Sequence, residues 1–165
     1  MKNRSINILI VAIFLLTLMS ITLVFFLQKA EEDFPKDIRV KQDGVTQTIL
    51  PIRDLRLNPT ESKEYTVDLF CAASGSYNVS LDYTEMADGG MKPFVNVIVR
   101  VNGALMYEGG LDSLLTTDEV ISFETELSAD DPVVLSLTYL MPREIGNEAQ
   151  GTYSDFNILL SIKKT

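Results

Sequence analysis

The chain has 165 residues, of which 14 are Lys or Arg and 23 are Asp or Glu, giving a formal net charge of −9. An acidic surface repels nucleic-acid phosphates and anionic lipid headgroups, so we expect no nucleic-acid partner and no charge-driven membrane binding. Histidine is absent, which removes the commonest general base and the commonest zinc ligand. We identify no catalytic residue, no metal ligand and no cofactor site, and expect a non-enzymatic protein.

The N-terminal part carries one long apolar run, from Ile6 to Leu27, without a charged residue. Lys2 and Arg4 precede it, and three acidic residues follow it at 31–33. A run of this length spans a bilayer as a helix, and the flanking charges place the N-terminus in the cytoplasm. The rest of the chain is therefore expected outside the membrane.

Two fates of this run stay open. Residues 1–30 are either a signal anchor retained in the membrane or a signal peptide cleaved near Ala30, the only small residue at the exit of the run. We expect residues 31–37 to form a linker and residues 38–165 to form one domain. That domain is membrane-anchored in the first case and secreted to the cell surface or matrix in the second.

Beyond the linker, short blocks of alternating apolar and polar residues are separated by Gly, Asn, Asp and Pro, a pattern typical of strands. In block 77–83 the alternation places Tyr77 and Tyr83 inward and Asn78, Ser80 and Asp82 toward solvent. We predict a helical turn at 111–115 and a connection at 52–59. The predicted strands are 38–40, 45–50, 65–71, 77–83, 94–101, 104–107, 120–127, 133–140 and 154–162.

One hairpin has a specific signal. Asn102-Gly103 lies between two apolar runs, and this dipeptide favours a type I′ turn, in which both central residues have positive φ. A two-residue loop would place Val101 opposite Ala104 and Val99 opposite Met106. Strands of this number and length predict an all-β fold, a jelly-roll-like antiparallel β-sandwich, preceded by one N-terminal transmembrane or signal helix.

Isolated motifs favour structural roles. Cys71 is the single cysteine, so it forms no internal disulfide, and its place in the alternation predicts a buried packing residue. The glycosylation triplet Asn78-Val79-Ser80 falls inside a predicted strand. Three groups of acidic residues could bind calcium: Asp82/Glu85/Asp88, Asp118/Glu119 and Asp130/Asp131. None has the residue spacing of a dedicated calcium-binding loop, so we expect their carboxylates to be solvated.

Two segments resemble the TasA/camelysin family of exported bacterial proteins. They are LNPTESKEY at residues 57–65 and LTYLMPREIGNEAQGTYSDFNI at residues 137–158, of which the loop between Gly146 and Gly151 is the most specific part. The resemblance implies a jelly-roll sandwich, a Gram-positive surface or biofilm-matrix location, and fibres built by donation of an N-terminal strand. Some members carry a metallopeptidase label, which does not extend to a chain without histidine. The bulky residues 25–27 also differ from the family's small-residue exit.

The resulting hypothesis is a surface structural protein, either a fibre or matrix subunit or a membrane-held accessory to one. The alternative is a monomeric surface module that binds peptide or glycan, although the absence of Trp weakens the glycan version. Expected partners are further copies or related surface subunits, through donation of segment 38–50, and the membrane, through Ile6 to Leu27 if uncleaved. Segment 38–50 is otherwise an ordinary edge strand. The loop glycines 146 and 151 are expected where a strand crosses between sheets, with positive φ at either position.

Overall fold

The computed structural model describes residues 34–117 and 119–165, so the predicted membrane segment lies outside the described part. Those residues form nine strands, one short helix and two 3₁₀ turns, at Lys92–Phe94 and Asn147–Ala149. The helix α1 is Leu111–Thr116. The strands are β1 Asp37–Val40, β2 Val45–Leu55, β3 Ser62–Cys71, β4 Gly75–Asp88, β5 Asn96–Val101, β6 Ala104–Gly110, β7 Ile121–Leu127, β8 Val133–Leu140 and β9 Ser154–Lys164.

The strands form two sheets. One has five strands in the order β1-β3-β8-β5-β6, and the other has four in the order β2-β9-β4-β7. The predicted all-β sandwich is thereby confirmed. All pairs are antiparallel except β1 with β3, which is parallel. The expectation of a wholly antiparallel sandwich is wrong at β1, because β2 intervenes in the opposite sheet and acts as the crossover that a parallel pair requires.

The core lies between the sheets and is built from the inward half of each alternating strand. Tyr77 and Tyr83 are buried, with 0% and 6% exposure, while Asn78 and Asp82 face solvent, as predicted. Aromatic rings run through this core: Tyr139 contacts Phe156 at 5.4 Å between ring centroids, and Phe156 stacks on Tyr83 at 5.8 Å. The period-two pattern thus determined which faces are buried.

The predicted hairpin forms between β5 and β6. Asn102 and Gly103 have φ of 48° and 82°, as a type I′ turn requires, and Val101 pairs with Ala104. The next predicted pair is wrong, because a bulge on β6 places Tyr107, not Met106, opposite Val99. A bulge adds one residue to one strand and shifts the register beyond it, and the alternation did not reveal it.

Strand β2 is longer than predicted and extends through Pro51 to Leu55, so the connection predicted at 52–59 is shorter. Pro51 pairs with Asn157 of β9. It is tolerated because β2 is an edge strand, where a missing N–H need not interrupt a ladder. A bulge after Ile52 follows, with Asp54 at φ 47° and its N–H bonded to Asp155 Oδ1 at 2.6 Å.

Candidate functional site: the β1 edge

Strand β1 is the shortest strand and forms one edge of the five-stranded sheet. It pairs only with the last residues of β3, from Asp68 to Cys71. Ile38 and Val40 point into the core, with 6% and 4% exposure, whereas the two other residues of the strand are exposed. Two buried side chains and a short ladder therefore hold β1 in place.

Residues just before β1 extend this attachment. The main-chain oxygen of Lys36 accepts a hydrogen bond from the Asp68 N–H at 2.9 Å. The Phe34 ring lies 5.0 Å from the Tyr65 ring, centroid to centroid, and Tyr65 contacts Tyr139 at 5.8 Å. Segment 34–40 thus contributes three apolar side chains, at positions 34, 38 and 40, to a core built mainly by other strands.

Packing is incomplete where β1 ends. A cavity of about 150 Å³ lies there, lined by Arg39, Val40, Phe70, Cys71 and Ala72. Phe70 is 42% exposed, although it lies beside Arg39 in the ladder. Cys71 is buried, as predicted for a packing residue. The pocket is partly open to solvent, so the end of β1 borders water and not a closed core.

The segment predicted to be exchangeable, 38–50, is two strands in two different sheets. Strand β2 pairs with β9 from Val45 to Leu55 and is part of the main ladder of its sheet. The connection is fixed by a hydrogen bond from the Lys41 N–H to Thr46 Oγ1 at 2.7 Å. Only segment 34–40, with β1 as its paired part, is attached loosely enough to consider for exchange.

The acidic residues considered for calcium binding either lie apart from one another or have their negative charge balanced by a nearby lysine. Lys92 Nζ lies 2.9 Å from Glu85 Oε2 and 3.2 Å from Asp88 Oδ2. The pKa of Lys92 is raised mainly by its hydrogen bond to Glu85. The pKa of Asp88 is lowered mainly by the hydrogen bond that its carboxylate accepts from the Gly90 N–H. Here an ammonium occupies the position a bound cation would take, and Asp82 points to solvent from mid-strand.

The other acidic groups are no more concentrated. Glu119 accepts a hydrogen bond from Ser113 Oγ at 2.7 Å, while Asp118 lies outside the described residues. Asp130 and Asp131 are exposed in the turn before β8. Among residues 34–117 and 119–165, no three His, Cys, Asp or Glu side chains come close enough together to hold a metal ion.

The loop between Gly146 and Gly151 joins β8 of one sheet to β9 of the other, as predicted. Its 3₁₀ turn buries Ala149, whose carbonyl accepts a hydrogen bond from Thr152 Oγ1 at 2.7 Å. Gly151 has φ of 75° in the left-handed region, whereas Gly146 has φ of −83°. Positive φ, expected at either of the two glycines, therefore occurs at Gly151 and not at Gly146.

One feature of the core was missed at the sequence level. The hydroxyl oxygens of Tyr83, Tyr139 and Ser154 are buried, and none makes a hydrogen bond of regular geometry within the described residues, although the Tyr83 and Tyr139 hydroxyls interact with each other. Burial raises the pKa of both tyrosines well above the usual value. Alternation predicts that these side chains point inward, but only the three-dimensional arrangement shows whether a hydroxyl finds a partner.

No family model and no curated protein sequence matches the chain. Among solved structures, one similar structure is a β-glucosidase from Paenibacillus barengoltzii, with 11% identity and a TM-score of 0.34. The similarity covers 77% of this chain and 11% of the β-glucosidase, so the chain spans a small part of that protein. A TM-score this low supports neither a shared fold nor a shared activity. Within the described residues, no helix has the length and apolar character needed to cross a bilayer.

Proposed function

We propose that this chain is a non-enzymatic structural protein of the cell surface, either a fibre or matrix subunit or a membrane-held accessory to one. In this proposal one copy links to the next by inserting its β1 beside β3 of the neighbour. The observation that carries the proposal is the attachment of β1, a four-residue edge strand with two buried side chains that begins at Asp37, the last residue of the predicted linker.

The strand order supports treating β1 as separate from the rest of the domain. Without it, the sheets are β3-β8-β5-β6 and β2-β9-β4-β7, which is the eight-strand arrangement of a jelly roll. Both four-stranded sheets keep all their pairs when β1 is removed. We therefore propose a jelly-roll body of eight strands, with β1 as an additional strand on the β3 edge.

Exchange would keep the local interactions of β1. A β1 from a neighbour would make the same ladder with residues 68–71, and the side chains of Phe34, Ile38 and Val40 would fill the same positions. Because the interactions with the neighbour replace identical ones within the chain, the free-energy difference is mainly the entropy of association. A contact of this kind joins unlike surfaces and need not close on itself, which permits filaments.

Two features of the sequence support the proposed location. The apolar run from Ile6 to Leu27, with basic residues before it and acidic residues after it, supports export of the domain. The resemblance of residues 57–65 and 137–158 to the TasA/camelysin family supports a bacterial surface or matrix setting. The absence of histidine from the whole chain supports a non-enzymatic role.

Exchange of β1 can be tested with cysteine pairs in the full-length protein, on a Cys71→Ala background. Arg39 and Phe70 are neighbours in the β1–β3 ladder. Protein with Arg39→Cys is mixed with protein carrying Phe70→Cys, partly unfolded together, refolded and oxidised. A disulfide between the two proteins, seen on non-reducing gels, is expected because exchanged strands bring these two positions together.

A matched control uses neighbours that cannot exchange. Thr66 of β3 and Ser136 of β8 are also paired, but both strands belong to the eight-stranded body. A mixture of Thr66→Cys and Ser136→Cys proteins should give no disulfide-linked product. If the Arg39→Cys and Phe70→Cys mixture gives no more product than this control, exchange of β1 is wrong and the surface-module alternative gains support.

The fate of the anchor separates the two forms of the proposal. The intact mass of the protein recovered from cells shows whether residues before about Ala30 are retained. A mass lacking them indicates a released subunit. A full-length mass indicates a membrane-held accessory, whose exchange partners must lie on the same cell surface.

A further inference from the structure

Strand β2 is an edge strand without the usual protection against pairing. Its first six residues, VTQTIL at 45–50, contain no charge, no Pro and no Gly. The other edges are protected: β7 exposes Glu124 and Glu126, β6 contains a bulge and ends in two glycines, and β1 has only four residues. Charges, bulges and short length are the devices that keep edge strands from pairing with other chains. Strand β2 has none of them before Pro51.

The main chain of this segment is available for pairing. Pro51 has no N–H and lies opposite Asn157, so it occupies a position whose nitrogen points away from β9. Since strand positions alternate, the N–H groups of Val45, Gln47 and Ile49 also point to the open edge. Among the described residues these three N–H groups have no partner outside the ladder with β9.

The side chains of the same residues are exposed on the outer face of the sheet. Val45 is 43% exposed and Ile49 is 49% exposed, which are high values for β-branched apolar residues in a strand. Ile49 lies opposite Leu159 of β9, and Gln47 donates a hydrogen bond to Ser161. The open edge therefore presents an N–H donor at all three positions and an exposed apolar side chain at two of them, Val45 and Ile49.

We propose that β2 pairs antiparallel with β2 of a second copy, about a twofold axis that passes between the two Gln47 residues. Residues 45–49, VTQTI, are self-complementary in this register. Val45 lies opposite Ile49 of the second copy, Thr46 opposite its Thr48, and Gln47 opposite its Gln47. β-branched residues and threonine pairs are favourable cross-strand neighbours, and the free N–H groups at positions 45, 47 and 49 meet carbonyls at the same positions.

A second copy suits this edge better than an unrelated strand. No ionisable residue occurs from Val45 to Ile52, so the net negative charge of the two copies is not concentrated at the axis. The pair joins two four-stranded sheets into one continuous sheet of eight strands. The contact uses the same patch on both copies and closes as a dimer. It does not depend on exchange of β1, because β1 belongs to the other sheet.

Cysteine cross-linking of the protein as recovered from cells tests the register, on a Cys71→Ala background. In an antiparallel hydrogen-bonded pair the Cα atoms are about 5.5 Å apart, within the range a disulfide spans. Gln47→Cys should therefore give a disulfide-linked dimer. Val45→Cys and Ile49→Cys should each give little dimer alone and much more when coexpressed. Gln150→Cys is the matched control, an exposed glutamine away from β2.

A charge exchange at the axis provides a second test that does not need oxidation. Gln47→Lys and Gln47→Glu each place like charges opposite one another and should abolish the dimer, measured by sedimentation in detergent. Mixing the two variants should restore it, whereas Gln150→Lys and Gln150→Glu should have no effect. The proposal is overturned if Gln47→Cys links no better than Gln150→Cys, or if the dimer survives both charge changes, or if mixing fails to restore it.

Discussion

Truncation of Ile38 to alanine is expected to detach β1 while the rest of the domain stays folded. Ile38 is 6% exposed and is one of the two residues of β1 buried in the core. Strand β1 pairs with one neighbour only, and removal of β1 leaves all other strand pairs in place. A substitution here should therefore act on a local opening and not on global unfolding.

The magnitude follows from the local interactions of β1. Burial of two aliphatic side chains contributes about 1.5 to 3 kcal/mol each, and ordering four residues costs about 1 to 2 kcal/mol each. Main-chain hydrogen bonds add about 1 kcal/mol each. The sum lies within a few kcal/mol of zero, so the docking of β1 is marginal. Ile38→Ala removes about 2 kcal/mol of this docking free energy, which raises the ratio of undocked to docked copies about 30-fold.

Hydrogen exchange at Asp68 reports this opening, because the Asp68 N–H donates to the Lys36 carbonyl only when the segment is docked. Exchange at Asp68 should therefore be faster in Ile38→Ala by up to about 30-fold, the limit that about 2 kcal/mol sets while most copies remain docked. The urea midpoint of the same protein should change little. Full-length protein in detergent is suitable for both measurements.

Ile38→Val and Ile158→Val provide the same chemical change at an edge and at the centre. Ile158 is fully buried on β9 between β2 and β4. Ile158→Val should lower the global unfolding free energy by about 1 kcal/mol and leave the local opening at Asp68 unchanged. The reasoning is refuted if Ile38→Ala lowers the urea midpoint as much as it accelerates exchange at Asp68, since β1 would then unfold only with the whole domain.

Three further predictions concern the body of the domain. Gly151→Ala should lower the unfolding free energy by about 1 to 3 kcal/mol because Gly151 has φ of 75°, whereas Gly146→Ala should change the unfolding free energy little. Equal urea midpoints for the two variants would contradict this prediction. Tyr139→Phe removes a buried hydroxyl that lies near the Tyr83 hydroxyl without a hydrogen bond of regular geometry, and it should leave stability unchanged or raise it by about 1 kcal/mol. A loss of that size in thermal unfolding would show that the two hydroxyls form a stabilising hydrogen bond. The pKa of Asp88 is lowered in the folded state, so as pH falls the carboxyl binds a proton in the unfolded state first, and the unfolding free energy decreases until pH passes the lowered pKa. Asp88→Asn should therefore weaken the fall of the urea midpoint below about pH 4, and the same slope of urea midpoint against pH in both proteins would contradict this prediction.

Local signals predicted much of the fold. The alternation in β4 placed Tyr77 and Tyr83 in the core, because strand side chains alternate strictly between faces. Asn102-Gly103 specified its turn for an equally local reason, the positive φ of both residues. These properties depend on neighbours in sequence, so the sequence contains them directly.

Features that depend on distant partners were not predicted. The bulge that brings Tyr107 opposite Val99, the extension of β2 through Pro51 and the parallel direction of β1 all depend on how strands meet in space. Segment 38–50 was predicted as two strands, 38–40 and 45–50, that could be exchanged together because the segment is more polar than the core strands. Alternation indicates which face is buried but not which sheet a strand joins, and so the placement of β1 and β2 in different sheets came only from the structure.

The two proposed contacts lie on different sheets and have different symmetry, which determines what each would build. Exchange of β1 joins unlike surfaces, so it extends a single row of subunits, whereas pairing of β2 joins like surfaces and stops at two. Together they would link two rows side by side, with β2 edges as the lateral contact. A chain deficient in β1 exchange but intact at β2 would then stop at dimers, and a chain with a charge at Gln47 but an intact β1 would grow only as single rows.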